Sequence, residues 1–164
     1  MPIRTGSPED IDSIMNLIRL CIIHMESKNI HQWDEIYPDK KTITKDIEKH
    51  ELYVLEEDGN LCAFIVLNEF QSPEYKEINW EFPGKTLVVH RLSVNPSVQG
   101  KGFAKKLMQF AYEFAKKQGY ESIRLDAFIK NPAAIALYTT LGYKKAGIVV
   151  FRKGPFFCFE MRIS

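Results

Sequence analysis

Apolar positions along the chain follow two periods, and the switches between them mark the elements. Ile11, Ile14, Met15, Ile18, Ile22 and Met25 recur every three to four residues, the spacing of one helix face. Ser7-Pro8-Glu9-Asp10 precedes them. It offers a capping serine, a proline suited to the first helical position and an acid at the capping-box position. A short strand, Pro2–Thr5, stands ahead of this helix. Lys28–Asp39, with Trp33, Tyr37 and Pro38, keeps neither period and reads as an irregular connection. A short second helix is predicted over Ile43–His50. Leu52–Glu56 and Leu61–Phe70 are predicted strands, and Asp58-Gly59-Asn60 between them is a hairpin signal.

Gln71–Lys85 is a long loop carrying Pro73, Trp80, Phe82, Pro83 and Gly84. Loops of that length tend to be functional or disordered, and the aromatic content favours function. Thr86–Val94 is rich in β-formers. Gly102–Gln118 is a helix with Phe103, Leu107, Ala111, Phe114 and Ala115 on one stripe and Gly119 as its stop. Ser122–Phe128 is a strand. Asn131–Leu141 is a helix capped by Asn131, opened by Pro132 and closed by Gly142. Tyr143–Phe151 and Phe156–Ile163 are closing strands. The order is β-α-α-β-β-β-α-β-α-β-β, an α/β (α+β) pattern. The hairpins demand antiparallel pairing. Thr86–Val94 and Ser122–Phe128, joined by a helical crossover, are the expected parallel pair. A mixed, mostly antiparallel sheet with helices on both faces follows.

Length and composition narrow the class. The 164 residues favour one domain, 1–164, and 45 % apolar with 26 % charged residues is ordinary for a globular chain. Such a domain buries roughly 70 % of its unfolded surface, so it needs neither a disulfide nor a metal. Lys plus Arg number 22 and Asp plus Glu 21, a formal charge of +1, which argues against a dedicated nucleic-acid binder. Cys21, Cys62 and Cys158 form no C-x-x-C pair and lie among apolar neighbours. They read as buried, reduced thiols of a cytoplasmic protein. No signal peptide is evident, and no apolar run reaches the ~18 residues of a membrane span.

The chemistry concentrates at Val94-Asn95-Pro96-Ser97-Val98-Gln99-Gly100-Lys101-Gly102-Phe103-Ala104. A strand ends, a turn carries two glycines, and a helix begins. The first helical amides have no internal partner and lie at the positive end of the helix dipole. A phosphate or pyrophosphate is their natural guest. Lys101, Lys105 and Lys106 add charge nearby. The spacing excludes a Walker A loop, because Gly102 follows Lys101 where Ser or Thr is required. It excludes a dinucleotide fingerprint, because position 105 is Lys.

Gln99–Ala104 resembles the Q/R-x-x-G-x-G/A signature of the GNAT superfamily of N-acetyltransferases. Leu92-Ser93-Val94-Asn95-Pro96 is similar to that family's strand-end pattern. Asn131-Pro132-Ala133-Ala134-Ile135-Ala136-Leu137-Tyr138, closed by Leu141-Gly142-Tyr143, resembles its second motif. The order of elements agrees along essentially the whole chain. The resemblance implies the GNAT fold, with the two central parallel strands splayed, and acetyl-CoA as cosubstrate with no metal. It implies that the amides of Gln99, Gly100, Lys101, Gly102, Phe103, Ala104 and Lys105 hold the pyrophosphate. Leu92, Ser93 and Val94 would line the pantetheine, and an amide of Leu92 or a neighbour would face the thioester oxygen. Asn131 and Ala134 would touch the CoA arm, and Tyr138 would protonate the leaving thiolate.

For the base, His90 is the first candidate, since two-residue alternation puts it on one strand face with Val88, Leu92 and Val94. Glu69 and Glu81 are alternatives. Trp33, Tyr37, Phe70, Trp80 and Phe82 are candidate walls for a small-molecule amine acceptor. A peptide or protein acceptor, or a CoA-binding module without turnover, remain competing readings. Neither nucleic acid nor membrane is an expected partner, and a homodimer is left open.

Overall fold

A computed structural model describes residues 3–164. Pro2, the expected start of the first strand, lies outside the described residues. The elements are β1 (Ile3–Thr5), α1 (Ile11–Ser27), α2 (Lys40–Glu48), β2 (Leu52–Glu57), β3 (Asn60–Asn68), β4 (Thr86–Val94), α3 (Phe103–Lys117), β5 (Ser122–Phe128), α4 (Pro132–Thr140), β6 (Lys144–Phe151) and β7 (Gly154–Arg162). Strands follow the order β1-β2-β3-β4-β5-β7-β6. β4 and β5 are parallel, pairing Thr86–Val88 with Ser122–Arg124. The pairs β1/β2, β2/β3, β5/β7 and β6/β7 are antiparallel. This is the mixed, mostly antiparallel sheet that the hairpins and the helical crossover imply.

The chain packs as two compact units, each drawn from two stretches: Met1–Leu67 with His90–Gln109, and Asn68–Val89 with Phe110–Ser164. β4 and α3 each contribute to both.

The first unit is built on the α1 stripe. Ile14, Leu17, Ile18 and Cys21 pack with Ile43 and Ile47 of α2, Leu52 and Val54 of β2, and Phe64 and Val66 of β3. The capping residues ahead of α1 act as their types dictate. The Ser7 amide donates to the Asp10 carboxylate at 2.8 Å, and Arg4 holds the same carboxylate at 2.8 and 2.9 Å. α2 begins at Lys40, ahead of the expected Ile43, because the Asp39 carboxylate accepts from the Thr42 amide at 2.9 Å and caps it there. The β2–β3 turn puts Asp58 at φ 54° and Gly59 at φ 78°, the two positive φ values of a type I′ hairpin.

The second unit centres on β5, whose residues other than Asp126 are buried. β5 pairs with β7 along its length, from Ser122–Arg162 to Phe128–Phe156. β7 begins at Gly154, two residues before the expected Phe156, since Gly154 closes a tight turn at φ 134° and pairs with Phe151. The loop at 71–85 contains a short 3-10 turn, Pro73–Glu77. It is tied down by polar groups. Arg124 of β5 donates to Gln71 Oε1 at 2.7 Å and to the Phe82 carbonyl at 2.8 Å. Glu160 of β7 accepts from the Glu81 and Phe82 amides at 2.8 and 3.0 Å. Cys21, Cys62 and Cys158 are free and buried. No helix among the described residues is long and apolar enough to cross a membrane.

Candidate active site

In the first unit, the site begins where β4 ends. The Asn95 side chain accepts from the Ser97 amide at 3.0 Å and the Ser97 hydroxyl at 2.9 Å, shaping the turn over Pro96–Val98. Gly100 and Gly102 then adopt φ 85° and 83°, left-handed values that favour glycine. A Cβ built on either meets nothing within 4 Å. The glycines therefore leave open space beside the backbone, and Gln99, Gly100, Lys101 and Gly102 are exposed to solvent. The Lys106 amide donates to the Gly102 carbonyl at 3.0 Å, closing the first turn of α3. The amides of Phe103, Ala104 and Lys105 precede that bond and have no partner of their own helix. Phe103 is buried at 3 % exposure and anchors the helix start, while Lys105 is exposed. A turn whose first helical amides lack a partner in their own helix, with open space and lysines beside it, fits a pyrophosphate.

Upstream, Ser93 is buried and its hydroxyl donates to the Arg91 carbonyl at 3.0 Å. The Val94 carbonyl accepts from Cys21 Sγ at 3.3 Å. Leu92 and Val94 are half-buried, and so is His90. Arg91 has φ 53°, and a left-handed residue inside a strand breaks the pleat. The two-residue alternation that grouped His90 with Leu92 and Val94 is thus interrupted at Arg91. Sequence pattern gave no warning, because arginine carries no preference for that conformation.

In the same unit, Trp33 packs half-buried against the hydrophobic core. Tyr37 is 38 % exposed, and its hydroxyl accepts from Arg91 Nη1 at 2.7 Å.

In the second unit, the Asn131 side chain caps α4, accepting from the Ala134 amide at 3.2 Å. Tyr138 sits in the last turn of that helix and is only 7 % exposed. Its ring meets Tyr143 at 6.1 Å and Phe159 at 5.8 Å between centroids. Burial, and then the charge of Asp126, push its phenol above the ordinary tyrosine range. The hydroxyl is thereby kept protonated, as a donor must be.

Asp126 is a residue that the motifs passed over. It lies half-buried on β5, and burial raises its carboxyl to about 6, against the opposing effect of the Tyr75 hydroxyl bonded to it. That hydroxyl donates to Oδ2 at 2.6 Å, and Tyr75 is itself 3 % exposed. The signal available was an acid inside the apolar run Ile123-Arg124-Leu125-Asp126-Ala127-Phe128. Glu69, by contrast, is exposed and accepts from the Tyr120 hydroxyl at 2.9 Å. Glu81 is also exposed.

Trp80 and Phe82 gather around Arg124. The Trp80 ring lies 4.3 Å from the guanidinium carbon, and its indole N–H donates to the Tyr75 carbonyl at 2.9 Å. Phe70 stands 63 % exposed.

The profile of the Acetyltransferase (GNAT) family matches residues 14–143. The chain belongs to the GNAT family of acetyltransferases. It is accordingly an acyltransferase that works with acetyl-CoA. It is 27 % identical over 143 residues to the uncharacterized N-acetyltransferase YesJ of Bacillus subtilis, covering 85 % of this chain and 79 % of that one. It is 40 % identical to human N-acetyltransferase 8B over 63 residues, which span 38 % of this chain and 28 % of that protein. Among solved structures, a GNAT-family acetyltransferase from Streptococcus agalactiae superposes with a TM-score of 0.88 at 26 % identity, covering 99 % and 95 % of the two chains. The GNAT match joins the two motifs, at Gln99–Ala104 and Asn131–Tyr138, in one family frame.

Proposed function

We propose that this GNAT chain transfers the acetyl group of acetyl-CoA to a primary amine of a small-molecule acceptor by direct attack. The observation that carries the reading is the open left-handed turn at Gly100 and Gly102 on the N-terminus of α3. The amides from Gln99 to Lys105 hold the pyrophosphate there. Leu92, Ser93 and Val94 line the pantetheine arm, and Ala134 and Asn131, the cap of α4, touch it. The Leu92 amide donates to the thioester oxygen as negative charge grows on it. Tyr138 gives its proton to the departing thiolate. The amine must shed a proton first. His90 is the first candidate for that role, and Asp126 competes for it because it carries a carboxyl raised to about 6 in electrostatic contact with Tyr138.

Trp33, Tyr37, Phe70, Trp80 and Phe82 are aromatic, which suits a small apolar or planar acceptor. Trp80 and Phe82 also tie down the loop through their hydrogen bonds to the Tyr75 carbonyl and from Arg124. The test is a thiol-release screen with acetyl-CoA against amines, amino acids, polyamines and peptides. Turnover with small amines supports the proposal. Turnover with peptides alone assigns the chain to protein acetylation. Tight CoA binding without any turnover reduces it to a binding module.

A further inference from the structure

Arg91 occupies a conformation that its side chain has no intrinsic reason to adopt. Its φ of 53° lies in the left-handed region, inside strand β4. Such a residue persists only where its surroundings over-determine it. The surroundings here are specific. Arg91 Nε donates to Asp46 Oδ2 at 2.9 Å and Nη2 to Asp46 Oδ1 at 2.7 Å, a two-pronged ion pair. The two side chains are 10 % and 8 % exposed. Nη1 reaches the Tyr37 hydroxyl at 2.7 Å, and the Tyr37 ring lies 5.9 Å from the guanidinium carbon. Asp46 sits on α2, between Ile43 and Ile47 of the first unit's core. The arginine is therefore bolted to a fixed helix.

The backbone after it is held as well. The buried Ser93 hydroxyl donates to the Arg91 carbonyl at 3.0 Å. That carbonyl and the Leu92 N–H belong to one trans peptide plane, so fixing the first fixes the second, pointing the opposite way. A buried ion pair alone is weak evidence of a contribution to stability, since apolar residues often replace one without loss. Here it coincides with a strained residue and a pinned carbonyl on the same peptide group. That combination sets a direction, which packing alone does not require.

We propose that Arg91, Asp46, Tyr37 and Ser93 form a clamp that aims the Leu92 amide, making them positioning residues for acetyl transfer. The inference rests on the reading of that amide as the donor to the thioester oxygen. The clamp holds the donor in place before the reaction, so no reorganisation is needed as charge develops.

The experiment uses the full chain with acetyl-CoA labelled with 13C at the carbonyl. Isotope-edited infrared spectroscopy reads the carbonyl stretch, which falls when a hydrogen bond polarises the group. Binding is measured in parallel by calorimetry. The parent protein should lower the stretch on binding. Arg91→Ala should lose more than half of that shift, with acetyl-CoA affinity within threefold of the parent. Arg91→Gly lacks the guanidinium too, but glycine accepts a positive φ freely, so part of the shift should return. A merely structural role would not distinguish alanine from glycine in this direction. If Arg91→Ala fails to fold, Asp46→Asn and Ser93→Ala carry the test, and each should lose part of the shift, Asp46→Asn at unchanged affinity. A full shift in Arg91→Ala, or in both milder variants, overturns the clamp. A parent complex that binds acetyl-CoA without any shift overturns the donor reading itself, and the clamp with it.

Discussion

Tyr138 is held as a neutral phenol by burial and by the charge of Asp126. If its proton goes to the thiolate, Tyr138→Phe should lower kcat by about 10²-fold while leaving acetyl-CoA affinity unchanged. An unchanged kcat would return Tyr138 to packing against Phe159. Asp126 gives a second test, of stability. Its carboxyl is raised from 3.8 to about 6, so the folded chain holds the proton more tightly than the unfolded one. The stability this group contributes is fully present below about 3.8 and is lost as pH rises through about 6. Asparagine mimics the protonated form and still accepts from Tyr75. Asp126→Asn should therefore be more stable than the parent at pH 7, by about 1–2 kcal/mol, with the gap closing below pH 4. Thermal melts at both pH values read this directly. The same variant separates the two base candidates. kcat/KM should bend on its acidic limb near the pKa of the base, and the limb should vanish in Asp126→Asn or in His90→Gln, but not in both. A low-pKa amine must be run alongside, to exclude the acceptor's own ionisation. The cap at Asn131 and the helical placement of Tyr138 were legible because their signal is local: a capping residue, a proline and a helical spacing. Arg91 and Asp126 were not, because their partners lie 45 and 51 residues away, and no period reports such a contact.

At the scale of the element, the glycine turn makes the sharpest claim. Gly102 and Gly59 both sit at left-handed φ with open space where a Cβ would go. A substitution at either should cost similar stability, about 1–2 kcal/mol, from the backbone alone. Their expected effects on the ligand differ. Gly102→Val should also weaken acetyl-CoA binding at least tenfold, about 1.4 kcal/mol. Gly59→Ala, in the β2–β3 hairpin, should leave it unchanged. Calorimetry on the pair checks this; equal affinities in both variants would remove the pyrophosphate from the turn. Element order was legible throughout, because capping residues, hairpin glycines and periodicity are properties of short stretches. The loop at 71–85 was less so. Its order comes from Arg124 and Glu160, which belong to strands β5 and β7 and are remote in sequence. The break in β4 was equally hidden, since a left-handed arginine has no composition signal.

Taken over the whole molecule, charge decides how the ligand must be held. The chain carries a formal charge of only +1, so its overall field offers little attraction to a polyanionic ligand. Affinity must come from a local device, and the turn with its amides and lysines is the one proposed. The family frame was legible from two spaced motifs, whereas the acceptor was not, since neither motif reports its chemistry. The ligand's two ends can nonetheless be separated. At a hundred times its dissociation constant, acetyl-CoA should stabilise the fold by about 2.7 kcal/mol. For a chain of this size that is about 5–10 °C in Tm. S-acetylpantetheine keeps the thioester and the arm but lacks the pyrophosphate and nucleotide. At the same concentration it should move Tm by less than about a fifth as much, because the amides of the turn are left without an anion. Raising salt from 0.05 to 0.5 M should shrink the acetyl-CoA shift and leave the small pantetheine shift alone, since exposed charges are screened over about 10 Å or less. The lysines at 101 and 105 are exposed, as this requires. Equal shifts from the two ligands would place recognition in the arm and leave the glycine turn without a ligand. A shift from acetyl-CoA that ignores salt would keep the amides as the anchor and remove the lysines from it.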